Sequence, residues 1–164
     1  MLRAISSIGV SGGGIGLKSS GVLAQSAVAA SVTGTLTETT LGQASWAAGA
    51  VADNGRVRVR ALWDATNVTL GTWQPQLRVN GTLLQNFGPI ANTNKGLVHE
   101  WDCWRVGNQI QRYNTQNPNG ISTAAPVTSS VDISGASTIA LTGTLSNTGD
   151  TLKLLAVTFE LLNP

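Results

Sequence analysis

Apolar and polar residues alternate along most of the chain in short runs, and residues that form tight turns separate these runs. Alternation with a period of two places one set of side chains on a buried face of a β-strand and the other set on a solvent face. The clearest example is residues 56–63, where arginine alternates with valine or alanine before Leu62 and Trp63. No segment of about 10–15 residues has the spacing of an amphipathic helix. The pattern therefore predicts an all-β fold.

Turn residues divide the chain into regularly spaced strands. Asn54-Gly55 and Asn80-Gly81 are pairs typical of hairpin turns, and Gly107-Asn108 marks a third turn. A spacing of about ten residues between strands is typical of antiparallel sandwiches. Pro75 indicates that its strand begins there or lies at a sheet edge. We predict an antiparallel, jelly-roll-like β-sandwich with strands at 32–39, 43–50, 56–63, 73–80, 82–87, 97–106, 109–114, 138–145 and 151–162.

The first thirty residues have a different character. They contain no acidic residue, two bases (Arg3 and Lys18) and a glycine-rich run at 11–16. Such a segment lacks the apolar surface that offsets the entropy of folding alone. We predict that residues 1–30 form an extended anchoring arm and that residues 31–164 form the sandwich domain. The arm residues predicted to contact a partner are Leu2, Ile5, Ile8, Val10, Gly12, Gly13, Gly14, Ile15 and Leu17.

The composition narrows the choice of partners. Charged residues make up 11% of the 164 residues, against roughly 25% in an ordinary soluble domain. The net charge of +2 is too small and too dispersed for nucleic-acid binding, which needs a clustered basic patch. No apolar run approaches the roughly 20 residues of a membrane span. We therefore expect neither a nucleic-acid nor a membrane partner, and a surface suited to packing against other protein subunits.

Arg56, Arg58 and Arg60 are the one local cluster of charge. Their spacing points all three to one face of a strand. Two interpretations are open: the ordinary solvent face of an amphipathic strand, or a basic face that contacts an acidic partner or a neighbouring subunit. Because aligned like charges repel, we expect acids on adjacent strands to face the arginines, namely Asp102, Glu160 or Glu38.

The residues that could carry catalysis or bind a metal are few. His99 and Cys103 are the single histidine and the single cysteine of the chain. Four residues apart on a strand, they lie about 13 Å apart, which is too far for a nucleophile and its base. No further histidine or cysteine completes the three or four ligands of a zinc site. We expect no enzymatic activity, no metal and no cofactor, with Cys103 in the core.

Five tryptophans are many beside two phenylalanines and one tyrosine. Tryptophan fills a sandwich core or a seam between subunits, or it forms a flat platform for a sugar. Trp101 and Trp104 face opposite sides of one predicted strand, so one of them should lie at a surface. Core packing is the simpler interpretation for the other three.

Five short patterns of turn and strand residues lie along the chain: Thr33-Gly34-Thr35-x-Thr37-Glu38-Thr39-x-Leu41, Asn54-Gly55-Arg56-x-Arg58-Val59, Leu62-Trp63, Leu77-Arg78-Val79-Asn80-Gly81-Thr82 and Leu141-Thr142-Gly143-x-Leu145-Ser146-Asn147-x-Gly149-Asp150-Thr151-Leu152. In these patterns the chain resembles small β-sandwich domains of tailed bacteriophages over about residues 31–164. Capsid decoration proteins, head fibres and head-binding modules of tail fibres belong to this class. The resemblance implies trimers attached to the virion by N-terminal arms.

We therefore expect a non-enzymatic structural protein of a phage virion, assembled in the host cytoplasm. In this interpretation it is a capsid decoration or head-fibre protein that binds the major capsid protein or another virion protein, as a homo-oligomer with a trimer favoured. The alternative is a receptor- or glycan-binding module of a tail fibre or adhesin, which would place tryptophan in an exposed cleft.

Overall fold

The computed structural model describes residues 19–66, 71–87, 89–91, 96–112 and 127–164. Within these ranges the chain forms twelve β-strands and no helix. The strands are β1 (Gly21–Ser26), β2 (Ala30–Thr33), β3 (Thr39–Trp46), β4 (Arg56–Thr66), β5 (Thr72–Val79), β6 (Thr82–Asn86), β7 (Ile90–Ala91), β8 (Gly96–Val106), β9 (Gln109–Arg112), β10 (Val127–Asp132), β11 (Ser137–Leu145) and β12 (Thr151–Leu162).

Two antiparallel sheets pack face to face. The large sheet has seven strands in the order β1-β12-β4-β8-β9-β10, with β2 also paired to β12. The small sheet has five strands in the order β3-β11-β5-β6, with β7 beside β5. The pairs β2–β12 and β4–β8 lie in the large sheet, and the pairs β3–β11 and β5–β6 lie in the small sheet. Successive pairs alternate between the sheets and end in the β5–β6 hairpin, as the double Greek key of a jelly roll requires. The predicted all-β, jelly-roll-like sandwich is confirmed.

The core lies between the two sheets and follows the alternation read from the sequence. On β4, Val57, Val59, Ala61 and Trp63 are buried, while the residues between them face outward. Gly143 on β11 shows how closely the sheets approach. A Cβ atom at Gly143 would lie 2.6 Å from Leu152 Cδ2, so glycine provides the room for this leucine of the facing sheet.

The predicted turns are confirmed where the backbone takes positive φ angles. Asn80 and Gly81 have φ values of 50° and 78°, as a type I′ hairpin between β5 and β6 requires. Asn54 (φ 62°) precedes β4, and Gly107 (φ 60°) joins β8 to β9. These turns fix the register of the strands that carry the arginines and the tryptophans.

The N-terminal boundary of the domain differs from the prediction. Residues 21–26 form β1 and pair with Leu161 to Val157 of β12, and β2 pairs with the first part of the same strand. The physical reason is that β12, at twelve residues, is long enough to take both short strands along one edge. Residues 21–30, which the sequence assigned to the arm, therefore belong to the sandwich. Residues 1–18, with all nine predicted arm contacts, lie outside the described residues.

Some strand bounds also differ. The alternation at 32–39 spans two strands, because Gly34 (φ 74°) turns the chain from β2 in the large sheet toward β3 in the small one. β3 ends at Trp46 rather than at residue 50, and Gly49 (φ 71°) lies in the turn that follows. The strands β1, β7 and β10 were not predicted.

The prediction that Pro75 lies at a sheet edge or a strand start is wrong. Its strand β5 starts at Thr72 and has β11 on one side and β6 with β7 on the other. Pro75 is tolerated because β6 pairs no further than Gln76 and β7 pairs only with Thr72 and Trp73. The N–H that proline lacks would therefore lie at the gap between β6 and β7, where neither strand pairs with β5.

Candidate functional site

The three arginines lie on the outer face of the large sheet, as predicted. Their strand β4 runs between β12 and β8, so acids can approach from both sides. On β8, Asp102 lies opposite Arg58 and Glu100 lies opposite Arg60. On β12, Glu160 lies opposite Arg58. We call these six residues the charged ladder: Arg56, Arg58, Arg60, Glu100, Asp102 and Glu160.

Ion pairs connect the ladder along and across the strands. Arg58 binds Asp102 through two hydrogen bonds, from Nε at 3.0 Å and from Nη2 at 3.2 Å. Arg60 Nε lies 2.8 Å from Glu100 Oε2, and Arg56 Nη1 lies 3.4 Å from Asp102 Oδ2. The hydrogen bonds to Asp102 raise the pKa of the Arg58 guanidinium, and the nearby carboxylates add to this effect. Three bases and three acids leave the ladder without net charge.

The expected acid partners are confirmed in part. Asp102 pairs with two of the arginines, and Glu160 faces Arg58 across the strand pair. Glu38 was a wrong choice, because it lies in the connection between β2 and β3 and pairs with Arg78 of the small sheet. Glu100 was missed as a partner, although its alternation with Asp102 signals the same face. Because acids of the same chain already neutralise the arginines, the interpretation of this face as a basic surface that attracts an acidic partner is weakened.

The tryptophans follow the core interpretation. Trp46, Trp63, Trp73 and Trp101 are at most 5% exposed, whereas Trp104 is 41% exposed. The expected opposite facing of Trp101 and Trp104 is confirmed. The guanidinium of Arg56 lies over the Trp104 ring at 4.5 Å from its centroid. The described ranges contain all five tryptophans and show no exposed platform of several indoles, so any stacking of a sugar on tryptophan is limited to Trp104.

An apolar row continues the charged ladder along the same outer face. Ala156 on β12 lies opposite Leu62 on β4, and Leu62 lies opposite Val98 on β8. We call these three residues the apolar row. Together with Arg60, Ala61, Val157 and Thr158 they line a shallow groove. The sequence contained this signal, since Leu62 continues the alternation of the arginines.

The start of β1 is fastened to the end of β12 by one residue, Asn163. Ser20 Oγ accepts a hydrogen bond from the Asn163 backbone N–H at 2.8 Å and donates one to the Asn163 carbonyl at 3.2 Å. The Asn163 amide also bonds the backbone of Ala50 and Ala52 at 3.0 and 2.8 Å. The point at which residues 1–18 join the body is therefore tied to a long strand of the large sheet and to the loop before β4.

A polar cluster around Glu38 lies on the opposite surface of the sandwich. Arg78 donates to Glu38 from Nε at 2.5 Å and from Nη2 at 2.7 Å, and Thr142 Oγ1 donates at 2.5 Å. Gln76, with its amide nitrogen facing the carboxylate, donates at 2.8 Å. The hydrogen bonds from Arg78 lower the pKa of Glu38 against the opposing effect of burial. This cluster holds the connection between β2 and β3 against the small sheet.

Replacing Glu38 with glutamine is expected to destabilise the fold at neutral pH by about 1 kcal/mol, because Arg78 loses a charged acceptor. The folded-state pKa of Glu38 lies below its usual value of 4.5. The stabilisation is therefore present above the unfolded pKa and is lost as the pH falls through the folded pKa. Urea titrations at pH 7 and pH 3 should show the difference between the E38Q variant and the original chain shrinking at the lower pH. An equal difference at both values would contradict the assignment.

His99 and Cys103 lie in the core and do not form a reactive pair. Cys103 is fully buried on β8. His99 stacks on Phe87 with ring centroids 3.5 Å apart, and burial lowers its pKa to about 3. Among the described residues, no group of three or more histidine, cysteine, aspartate or glutamate side chains could hold a metal ion. The same residues include no helix that is long and apolar enough to cross a membrane.

Comparisons with known proteins give little. No protein-family model and no curated protein matches the chain. Among solved structures, the chain is similar to part of the dimeric latent PorU of Porphyromonas gingivalis, with a TM-score of 0.39 and 15% sequence identity. The match covers 94% of this chain and 14% of the PorU chain. The fold described above therefore stands on the strand pairings of the chain itself.

Proposed function

We propose that the chain is a non-enzymatic structural protein of a phage virion, in which residues 1–18 anchor the jelly roll to the major capsid protein or another virion protein. It would act as a decoration or head-fibre protein. The observation that carries this proposal is the jelly-roll strand order, an architecture found in viral capsid and lectin domains. The resemblance of residues 31–164 to phage sandwich domains points the same way.

The geometry around Asn163 supports an anchoring role for the segment before Ser19. Asn163 donates a backbone hydrogen bond to Ser20 and accepts one from the Ala52 N–H in the 50–52 loop, and β1 then pairs with β12 over five residue positions. A force on the anchor is thus transmitted to β12, a long strand within the large sheet, and not to a surface loop. An anchor of apolar residues and glycines binds by burying side chains and by adding backbone hydrogen bonds to a partner's sheet edge.

The test replaces the apolar residues of the anchor while keeping its length. A full chain with Ile5, Ile8, Val10, Ile15 and Leu17 changed to serine is expected to melt like the original protein, because the changes lie before the sandwich. Its amount in purified particles, measured by quantitative mass spectrometry, is expected to fall at least tenfold, a loss of about 1.4 kcal/mol or more in binding. Unchanged incorporation would overturn the proposal. The matched control exchanges the exposed Val28, outside the anchor, for serine.

A further inference from the structure

The outer face of the large sheet carries most of the exposed large apolar side chains of the described residues. Eight such side chains are exposed, and five of them lie on this face. The three others are dispersed on the β1–β2 connection, the β2–β3 connection and β6. The charged ladder lies between Leu62 with Val98 at one end and Trp104 with Val106 at the other. Exposed apolar surface bordered by polar groups marks interaction sites. The five residues on the face are Val22, Leu62, Val98, Trp104 and Val106.

The charges on this face suit a second copy of the same chain. Its arginines form a column on β4, Glu100 and Asp102 form a column of acids beside it on β8, and β12 adds the single acid Glu160 on the other side. A stripe of unpaired arginines would repel an identical stripe, but the neutral charged ladder does not. Alternating columns of opposite charge are instead complementary to themselves, and such complementarity fixes the register of an interface.

The register of β4 and β8 makes the face compatible with two-fold symmetry. A two-fold axis running along the strands midway between β4 and β8 sets each residue against its own cross-strand partner in the other copy. Leu62 of one copy then meets Val98 of the other, and Arg58 meets Asp102. The pairs that stabilise the sheet within one copy are thereby repeated between copies. Aligned sheets pack face to face about 10 Å apart.

The size of the face is sufficient for a stable dimer. The strands β4 and β8 have 11 residues each. At about 3.3 Å per residue they are roughly 36 Å long, and the five strands from β1 to β9 are roughly 24 Å wide. Because β1 and β9 are shorter, with six and four residues, the footprint is roughly 700 Å² per copy, which lies within the range of standard protein interfaces.

We infer that the outer face of the large sheet is a self-association surface, on which a second copy of this chain packs through the apolar row and the charged ladder. The apolar row supplies the buried surface, and the ladder sets the register. The inference goes beyond the proposed function and does not depend on it, because it concerns two copies of the chain and not its anchor.

Two leucines with equal exposure provide a matched test. Leu62 on the large sheet and Leu83 on the small sheet are each 41% exposed. In sedimentation equilibrium of the full chain we expect a dimer with a dissociation constant on the order of micromolar. The change Leu62→Asp is expected to raise this constant by roughly 100-fold, because it buries an unpaired carboxylate in the interface. The change Leu83→Asp is expected to leave the constant within about twofold.

A second variant shows whether the loss of the dimer in Leu62→Asp results from the interface or from misfolding. Val98 is 65% exposed, so Val98→Lys leaves the core untouched and is expected to weaken the dimer as Leu62→Asp does. A full chain that stays monomeric at about 100 times the expected dissociation constant would overturn the inference, and so would dimers that survive both face variants or are lost equally in Leu83→Asp. A trimer would overturn the two-fold arrangement. These outcomes are separate from particle incorporation, which tests the anchor.

Discussion

Deleting residues 1–30 is expected to destabilise the sandwich strongly, whereas deleting residues 1–18 is expected to leave it intact. The longer deletion removes β1 and with it five cross-strand pairs to β12, from Gly21 with Leu161 to Ser26 with Val157. It also removes Leu23 and Ala24, which pack against the core, and the bonds between Ser20 and Asn163. The backbone pairs and the half-buried side chains together account for about 3 kcal/mol.

This loss is large for a single domain. It corresponds to a fall of about 10 °C in melting temperature for a chain of this size. It also leaves the edge of β12 from Val157 to Leu161 without its neighbour, and an uncovered edge strand promotes aggregation. Melting curves of the two truncated chains, together with light scattering, measure both effects. If the two truncations melted alike, β1 would contribute nothing and the domain would begin where the sequence placed it.

The difference between the two truncations shows what local sequence could and could not predict. Residues 56–63 and 151–162 were found because alternation and turn chemistry act over a few residues and need no knowledge of the rest of the chain. β1 was missed because its six residues do not alternate between apolar and polar types and its partner strand lies at the far end of the chain. An edge strand of this kind is specified by the open side of β12 and not by its own pattern. The composition of residues 1–30 therefore indicated a single arm, whereas residues 21–30 belong to the sandwich.

The candidate face was predictable to a similar extent. The alternation of Arg56, Arg58 and Arg60 fixed their common side, and repulsion required acids opposite them. The choice among the acids needed the strand order, which brings β8 and β12 to the two sides of β4. Glu38 was misplaced because the chain crosses from one sheet to the other after Gly34, so its carboxylate faces the small sheet. Periodicity gives the face of a residue, and only topology gives its neighbours.

The same limit applies to His99, whose position was predicted but whose chemistry was not. The alternation placed it on one side of β8 with Trp101 and Cys103, and that side is the core. The sequence could not show that Phe87 stacks on the imidazole or that no partner among the described residues bonds its Nδ1. Burial at this position lowers the pKa of His99 and keeps its imidazole neutral, and this makes the stability of the fold depend on pH.

Lowering the pH from 6.5 to 3 is expected to destabilise the fold through His99 by about 4 kcal/mol. Burial lowers the pKa of His99 from 6.5 to about 3 in the folded chain. Below pH 6.5 the unfolded chain binds a proton that the folded chain does not, so stability falls until the folded pKa is reached, with a slope of up to about 1.4 kcal/mol per pH unit midway between the two pKa values. The change His99→Phe keeps an aromatic ring against Phe87 and removes the titrating group, so its stability should depend less on pH over this range.

Comparing the slopes of stability against pH in the original chain and in His99→Phe separates the contribution of His99 from that of the carboxylates. Glu38 also contributes to acid sensitivity, but only as the pH falls through a pKa below 4.5, so the interval from pH 6.5 to 5 reports His99. Urea titrations at half-unit steps should give the original chain a mean slope of about 1.1 kcal/mol per pH unit beyond that of His99→Phe in this interval, because the unfolded histidine is half protonated at pH 6.5. The E38Q variant serves as the matched control, because it should keep the full slope. Parallel curves for the original chain and His99→Phe would mean that the imidazole titrates normally and that the core around Phe87 opens to water.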